Sequence, residues 1–109
     1  MNVVDSSAWL EYLVDSERAS LFAEPIERTR QLIVPVLVIY ELFKKVLRER
    51  GEQPALEVYG LLSQGNVVDV DAGLATAAAR FPLPLADSII YATARSSGHK
   101  TSILRICQE

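Results

Sequence analysis

Residues 2–10 read NVVDSSAWL, in which a short apolar run meets an aspartate and two serines. Asn2 to Asp5 predicts a short buried strand, and Ser6 or Ser7 is placed to cap the helix that follows. That helix is expected to continue to about Val14. The aspartate therefore closes a strand that should be buried, at the start of a helix.

The rest of the chain repeats this alternation of short apolar strands with helices. Pro25 predicts a break in the second helix, and Pro35 suits the first position of a long one. Strands are predicted at 2–5, 31–34, 66–70 and 101–106, and helices at 6–14, 17–29, 35–49, 54–62, 72–80 and 85–96. This order indicates an α/β fold of three layers, α/β/α, with a short central parallel sheet flanked by helices.

Composition narrows the class of protein. The chain has 109 residues, of which 50% are hydrophobic and 23% charged, so we expect one folded domain over residues 1–109 and no extensive disorder. The apolar stretch 32–40 is interrupted by Pro35 and is far shorter than the roughly 20 residues of a membrane span. No signal peptide is visible, and Cys107 is the single cysteine, so a cytoplasmic protein is expected.

Three acidic residues lie in apolar surroundings, where a carboxylate is costly unless it is paired, hydrogen-bonded or bound to a metal. They are Asp5, Glu41 and Asp87. Each has a structural explanation when taken singly. Asp5 is placed to cap a helix, Glu41 to pair with a lysine one turn later, and Asp87 to interact with a helix dipole.

Taken together, the three acids suggest a metal site. Parallel topology can bring them to one edge of the sheet, where ligands bind in such folds. Adjacent carboxylates repel, and a divalent cation offsets the repulsion. An oxygen-only cluster favours Mg²⁺ or Mn²⁺ over zinc, and such a site supports hydrolysis of phosphate esters. A net charge of −3 argues at first sight against a nucleic-acid partner, but a metal-binding cluster contributes negative charge itself.

Three segments resemble the motifs of VapC-type toxin ribonucleases of the PIN-domain family. They are VVDSSAWLEY (3–12), VIYEL (38–42) and PLADSIIYATA (84–94), in matching order and spacing over about the first 100 residues. The resemblance implies a PIN fold, a metal-dependent endoribonuclease, a homodimer and inhibition by a VapB-type antitoxin. It also implies that Asp5, Glu41 and Asp87 are the catalytic metal-binding acids and that Ser7 is the small hydroxyl residue of the first motif.

The tail departs from the family pattern. The family supplies a fourth acid on a strand after its last central helix, whereas no aspartate follows Asp87 here and Arg105 occupies the aligned position. The family's closing strand and helix have no counterpart, and truncation, frameshift and natural divergence all fit. An exposed sheet edge would favour dimers or larger assemblies.

Other residues and functions were weighed against this interpretation. Lys44, Lys45 and Arg48 are candidate RNA contacts or simply a solvated helix face, while His99 and Cys107 read as ordinary surface residues. The alternative function is a catalytically impaired PIN remnant that binds antitoxin or its own copy. An aspartyl-phosphate hydrolase is disfavoured, because such enzymes usually have a second aspartate at the position of Ser7. A receiver domain is disfavoured as well, because it has a pair of acidic residues near the start of its sequence and this chain does not.

Overall fold

A computed structural model describes residues 1–98 and 101–104. Strands and helices alternate along the chain, as the sequence predicts. The elements are β1 (Asn2–Val4), α1 (Ser6–Leu13), α2 (Ala19–Glu27), a 3-10 turn (Thr29–Gln31), β2 (Leu32–Pro35), α3 (Val36–Arg50), α4 (Glu52–Leu62), β3 (Asn66–Val68), α5 (Ala72–Ala78), α6 (Leu85–Ser96) and β4 (Ser102–Leu104).

The described strands form one parallel sheet in the order β3-β2-β1-β4. From β1 to β3 the chain moves in one direction across the sheet, and it then returns to the other side of β1 to form β4. Because crossovers between parallel strands are right-handed, this reversal places α5 and α6 on the opposite face from α1 to α4. The α/β/α fold predicted from the sequence is confirmed.

The core is built on the two central strands. Every residue of β2 is buried, and so are Val3 and Val4 of β1. These strand residues are apolar without alternation, because helices cover both faces of a parallel sheet. The main cluster adds side chains from five helices: Trp9, Phe22, Ile26, Val38, Leu42, Val58, Leu62, Ile90 and Ala94.

The structure decides which residue caps the first helix. The sequence offered Ser6 or Ser7 and, alternatively, Asp5; Asp5 is the capping residue, and both serines lie inside the first turn. The Ser6 backbone N–H donates to Asp5 Oδ1 at 2.7 Å. Asp5 adopts the extended backbone that a capping residue requires, since β1 ends one residue earlier.

Proline has a smaller effect on α2 than predicted. The helix continues through Pro25 and ends two residues later, at Glu27. Proline at this position removes one helical hydrogen bond and crowds the carbonyl of the preceding turn. Phe22 and Ile26, on either side of it, are both buried in the core. The tertiary contacts therefore outweigh the local breaker.

At the C-terminal side the predicted strand 101–106 is present as β4, Ser102–Leu104, which pairs with β1. Residues 99, 100 and 105–109 lie outside the described part, and with them His99, Arg105 and Cys107. Among the helices that are described, none is long and apolar enough to cross a bilayer.

Candidate active site at the carboxyl edge of the sheet

The strand order identifies one place where a ligand site is expected. The strand order reverses between β1 and β4: the chain leaves β1 toward β2 and β3 on one side, and it returns from β3 to the other side of β1 to form β4. In open α/β sheets ligands bind beyond the carboxyl ends of the strands at such a switch point. Asp5 follows the last residue of β1, and its backbone N–H donates to the Leu104 carbonyl of β4 at 2.8 Å. The side chain of Asp5 therefore begins at the switch point.

Asp5 and Asp87 line the same small cleft. Its walls come from β1, β4 and α6 together with the turn before α6: Asp5, Leu83, Asp87, Ile90, Tyr91 and Ile103. Both carboxylates are half-buried. The cleft holds about 30 Å³. That volume suits a water molecule or an ion and is far too small for a nucleotide.

Asp87 is positioned by the helix that carries it. It lies in the first turn of α6, which follows Pro84. Pro84 fixes an extended entry into the helix, and the positive end of the helix dipole favours a carboxylate in the first turn. The bounds of α6 agree with the prediction from sequence.

Glu41 reaches the same region through Ser6. The Ser6 hydroxyl donates to Glu41 Oε1 at 2.7 Å, across 35 positions of sequence. Strands β1 and β2 are parallel neighbours, so the helices that follow them, α1 and α3, start at the same edge of the sheet. Glu41 lies in the second turn of α3 and is half-buried beside α1.

Ser7 also contacts the acids. Its hydroxyl lies 3.3 Å from Asp5 Oδ2, a longer hydrogen bond than the one that Ser6 makes. Asp5 thus accepts from the Ser6 backbone on one oxygen and from the Ser7 side chain on the other. The first three residues after β1 form one connected polar network around two of the predicted acids.

The three acids do not form a single ready-made metal cage. Among residues 1–98 and 101–104, no three His, Cys, Asp or Glu side chains are grouped closely enough to hold an ion. The carboxylate of Glu41 is held by Ser6, while those of Asp5 and Asp87 meet at the cleft. This oxygen-only pair fits Mg²⁺, which is usually bound through one or two carboxylates plus substrate phosphate and waters. The three-acid cluster stays a prediction.

A larger cavity, of about 620 Å³, lies between β3, α5 and α6. Its lining mixes Asp69 and Asp71 with Arg80 and Arg95. Opposite charges face each other there, so the cavity does not concentrate charge of one sign. The larger cavity is therefore not the better candidate. The small cleft is, because two carboxylates line it at the switch point of the sheet.

The predicted RNA contacts lie further along α3. Lys44 donates to the Tyr40 hydroxyl at 3.1 Å, and Lys45 pairs with Glu49 at 2.9 Å. The hydrogen bond and charge of Lys45 hold the pKa of Glu49 below its usual value. Arg48 is exposed in the last turn of the helix. A role for these residues in RNA binding stays a prediction.

Two residues of this region were missed by sequence reasoning. Ser6 was assigned only to helix capping, and Tyr91 to the third motif, yet Ser6 bonds Glu41 and Tyr91 lines the acidic cleft. The ring of Tyr91 packs edge-on against Phe81, with centroids 4.7 Å apart. A signal for Tyr91 was available, since it lies one helical turn after Asp87 and therefore on the same face of α6.

Comparison with solved structures shows the same fold. One similar structure is a toxin–antitoxin complex from Klebsiella pneumoniae, at TM-score 0.75 and 19% identity, with 94% of this chain and 83% of that chain covered. Another is the VapC20 toxin of Mycobacterium tuberculosis, described as cleaving the sarcin-ricin loop, at TM-score 0.70 and 20% identity, covering 94% and 87%. A third is DNA-bound VapBC from Salmonella typhimurium, at TM-score 0.68 and 17% identity, covering 97% and 98%.

No curated protein matches the chain significantly. The family model for the PIN domain matches residues 3–101. That span includes Asp5, Glu41 and Asp87 and ends at Thr101. The match covers most of the sequence, and the fold agrees with it, so this chain belongs to the PIN-domain family.

Proposed function

We propose that this chain is a toxin-type PIN ribonuclease, which hydrolyses RNA phosphodiester bonds with the help of Mg²⁺ or Mn²⁺. One observation carries the proposal: Asp5 and Asp87, from different ends of the sequence, line a single cleft at the topological switch point. Two half-buried carboxylates repel each other, and such an arrangement costs stability unless a cation binds there.

Asp5 and Asp87 would hold the ion, and Glu41 would contribute from the side of α3. A bound divalent ion supplies an activated water and stabilises negative charge on the phosphate. The residues of the chain have separate tasks. Ser7 holds one oxygen of Asp5, the Ser6 backbone holds the other, and the apolar side chains of Leu83 and Ile103 wall the cleft.

RNA must approach from outside the cleft. Because the cleft holds about 30 Å³, it has room for the ion but not for a nucleotide, so the RNA would lie above the edge of the sheet and present one phosphate to the cleft. Tyr91 is 37% exposed at that rim. Such a site selects a phosphodiester and leaves the choice of RNA to the surrounding surface.

The proposed protein partners are a VapB-type antitoxin and a second copy of the chain. Two of the similar structures are a toxin–antitoxin complex and a VapBC complex, which supports the first partner. A mostly apolar groove between α3 and α4 supports the second, because Phe43, Leu47 and Leu56 line it, with Lys44 and two tyrosines as its polar side chains. Leu42, on the same helix as Phe43 and Leu47, is buried in the core and is not available for this contact. Light scattering measures the mass that decides between monomer and dimer.

The proposed activity is tested by RNA cleavage with Mg²⁺, with Mn²⁺ and with a chelator, for the native chain and Asp87→Asn. We expect cleavage that requires metal and that falls by at least about 100-fold in the variant, because even residues behind metal ligands contribute 10–100-fold. Cleavage that persists in chelator, or that is unchanged in Asp87→Asn, contradicts the proposal.

The alternative is a PIN remnant that binds antitoxin without cutting RNA. The altered tail and the lack of a three-acid group among the described residues favour it. The absence of both thermal stabilisation by metal and cleavage of any RNA offered would point to this alternative, whereas stabilisation without cleavage would indicate a nuclease that still binds metal but has lost activity. The two outcomes separate cleanly, since metal binding and cleavage are measured independently.

A further inference from the structure

Ser6 makes two different contacts at the start of α1. Its backbone N–H donates to Asp5 Oδ1 at 2.7 Å, and its hydroxyl donates to Glu41 Oε1 at 2.7 Å. One residue thus touches two of the predicted acids, one through the main chain and the other through the side chain. All three residues are half-buried.

Glu41 depends on this contact. Within residues 1–98 and 101–104, the ion pairs are Arg28–Glu24 and Lys45–Glu49, and neither involves Glu41. The Ser6 hydroxyl is the hydrogen-bond partner of its side chain in that part of the chain. A hydroxyl bonded to a carboxylate is a short, charge-assisted contact, and a distance of 2.7 Å agrees with one.

The contact leaves Glu41 able to bind a cation. A carboxylate offers about four lone-pair positions on two oxygens, and Ser6 occupies one of them. Without the hydroxyl, the Glu41 side chain keeps its charge but loses what fixes it beside Asp5. Rotation about the side-chain bonds of Glu41 can then move its carboxylate away from the start of α1.

We propose that Ser6 is a positioning residue of the metal site, whose hydroxyl holds the Glu41 carboxylate next to Asp5 and thereby sets the affinity for the divalent ion. This inference rests on the proposed function, because it assumes that the carboxylates bind metal. It assigns to Ser6 a role that its place in the helix cap does not require. The capping contact uses the backbone N–H, which any residue at position 6 except proline would supply.

The test uses the full chain and Mn²⁺ alone, with binding measured by isothermal titration calorimetry. Ser6→Ala removes the hydroxyl and keeps the capping N–H, and alanine is a good helix former. We expect the Kd for Mn²⁺ to rise by about 10–100-fold, the range found when a group that orients a metal ligand is lost. Ser6→Thr keeps a hydroxyl on the same carbon, and we expect it to retain affinity within about threefold of the native chain, well below the loss in Ser6→Ala.

Two controls separate this role from a structural one. Ser63→Ala removes a comparable hydroxyl bond, from Ser63 Oγ to the Tyr59 carbonyl at 2.8 Å on the distant end of α4, and should leave the Kd unchanged. The double variant Ser6→Ala/Glu41→Gln should bind Mn²⁺ no more weakly than Glu41→Gln alone, because Ser6 acts through Glu41. If Ser6→Ala unfolds, Ser6→Thr and Ser6→Cys still report on the hydroxyl.

The outcomes distinguish this inference from the proposed function. Native binding of Mn²⁺ that is lost in Asp87→Asn but unchanged in Ser6→Ala overturns the role of Ser6 and leaves the metal site standing. No binding by the native chain overturns both. Ligand binding also rescues a destabilised fold, so the free energy of unfolding is measured without metal. A Ser6→Ala variant that is as stable as the native chain in that measurement, but needs more Mn²⁺ for binding and cleavage, supports the positioning role, whereas a loss of affinity that only follows a loss of stability contradicts it.

Discussion

Two strand-to-helix junctions in this protein use an aspartate in the same local way. Asp5 follows β1 and caps α1, and Asp71 follows β3 and caps α5. Each side chain accepts a backbone N–H at 2.7 Å, from Ser6 in the first case and from Leu74 in the second. Both aspartates therefore cap a helix, although Asp5 accepts the N–H of the next residue and Asp71 the N–H three residues later.

Their positions in the sheet are not equivalent. Strand β1 is central and β3 is at an edge, so Asp5 is half-buried at the switch point while Asp71 is exposed. Asp87 meets Asp5 at its cleft, whereas the cavity beside Asp71 also contains Arg80 and Arg95. A capping aspartate thus becomes a candidate catalytic residue through the strand it follows and the acids that the topology brings to it.

The strongest test of this comparison is a matched pair of substitutions, Asp5→Asn and Asp71→Asn. Asparagine caps a helix about as well as aspartate, so both variants should fold with nearly native stability. We expect metal-dependent RNA cleavage to fall by at least about 100-fold in Asp5→Asn, because a charged ligand is lost, and to be unchanged in Asp71→Asn. Equal activity in the two variants would remove the distinction between the junctions.

A smaller effect is expected from Asp71→Ala, which removes the cap as well as the charge. The Leu74 N–H loses its acceptor, and the free energy of unfolding should fall by about 1 kcal/mol, the usual contribution of an N-cap. Urea denaturation of Asp71→Ala beside Asp71→Asn isolates the hydrogen bond from the charge. Cleavage per folded molecule should match the native chain, and a large loss would show that the edge junction serves the site as well.

The smallest effect is expected on RNA binding, when a positive charge is removed from α3, away from both junctions. Arg48→Gln should weaken binding of single-stranded RNA a few-fold at low salt and reduce the slope of log K against log salt by about 0.7, the value for one phosphate contact. Arg18→Gln changes the net charge equally on exposed Arg18 before α2 and should leave the slope unaltered. Fluorescence anisotropy across a salt series measures both, and identical slopes would assign Arg48 to the solvated face.

Much of the fold was predictable because local signals and tertiary structure agree. Pro84 and Gly98 bracket α6, and the predicted helix coincides with the observed one. Pro35 likewise marks the end of β2 and the start of α3. Pro25 is the exception, since burial of Phe22 and Ile26 maintains the helix across it.

The site was less predictable, for a physical reason. The sequence indicated which acids are out of place, but hydrogen bonds between elements depend on side-chain directions that no local pattern contains. The bond from Ser6 to Glu41 joins residues 35 positions apart and required the parallel pairing of β1 with β2. For the same reason the sequence offered Ser6, Ser7 and Asp5 as possible caps of α1 and did not choose among them, whereas the structure shows Asp5.

Because β4 pairs with β1, the cleft forms only after β4 has joined the sheet. Asp5 and Ile103 line the same cleft but lie far apart in the sequence. Contacts of such long sequence separation form late, because loop closure must precede them. A nascent chain that has not yet reached β4 therefore exposes Asp5 without the wall that encloses it. The addition of β4 to the sheet, rather than the synthesis of either acid, then sets the moment at which the cleft is complete.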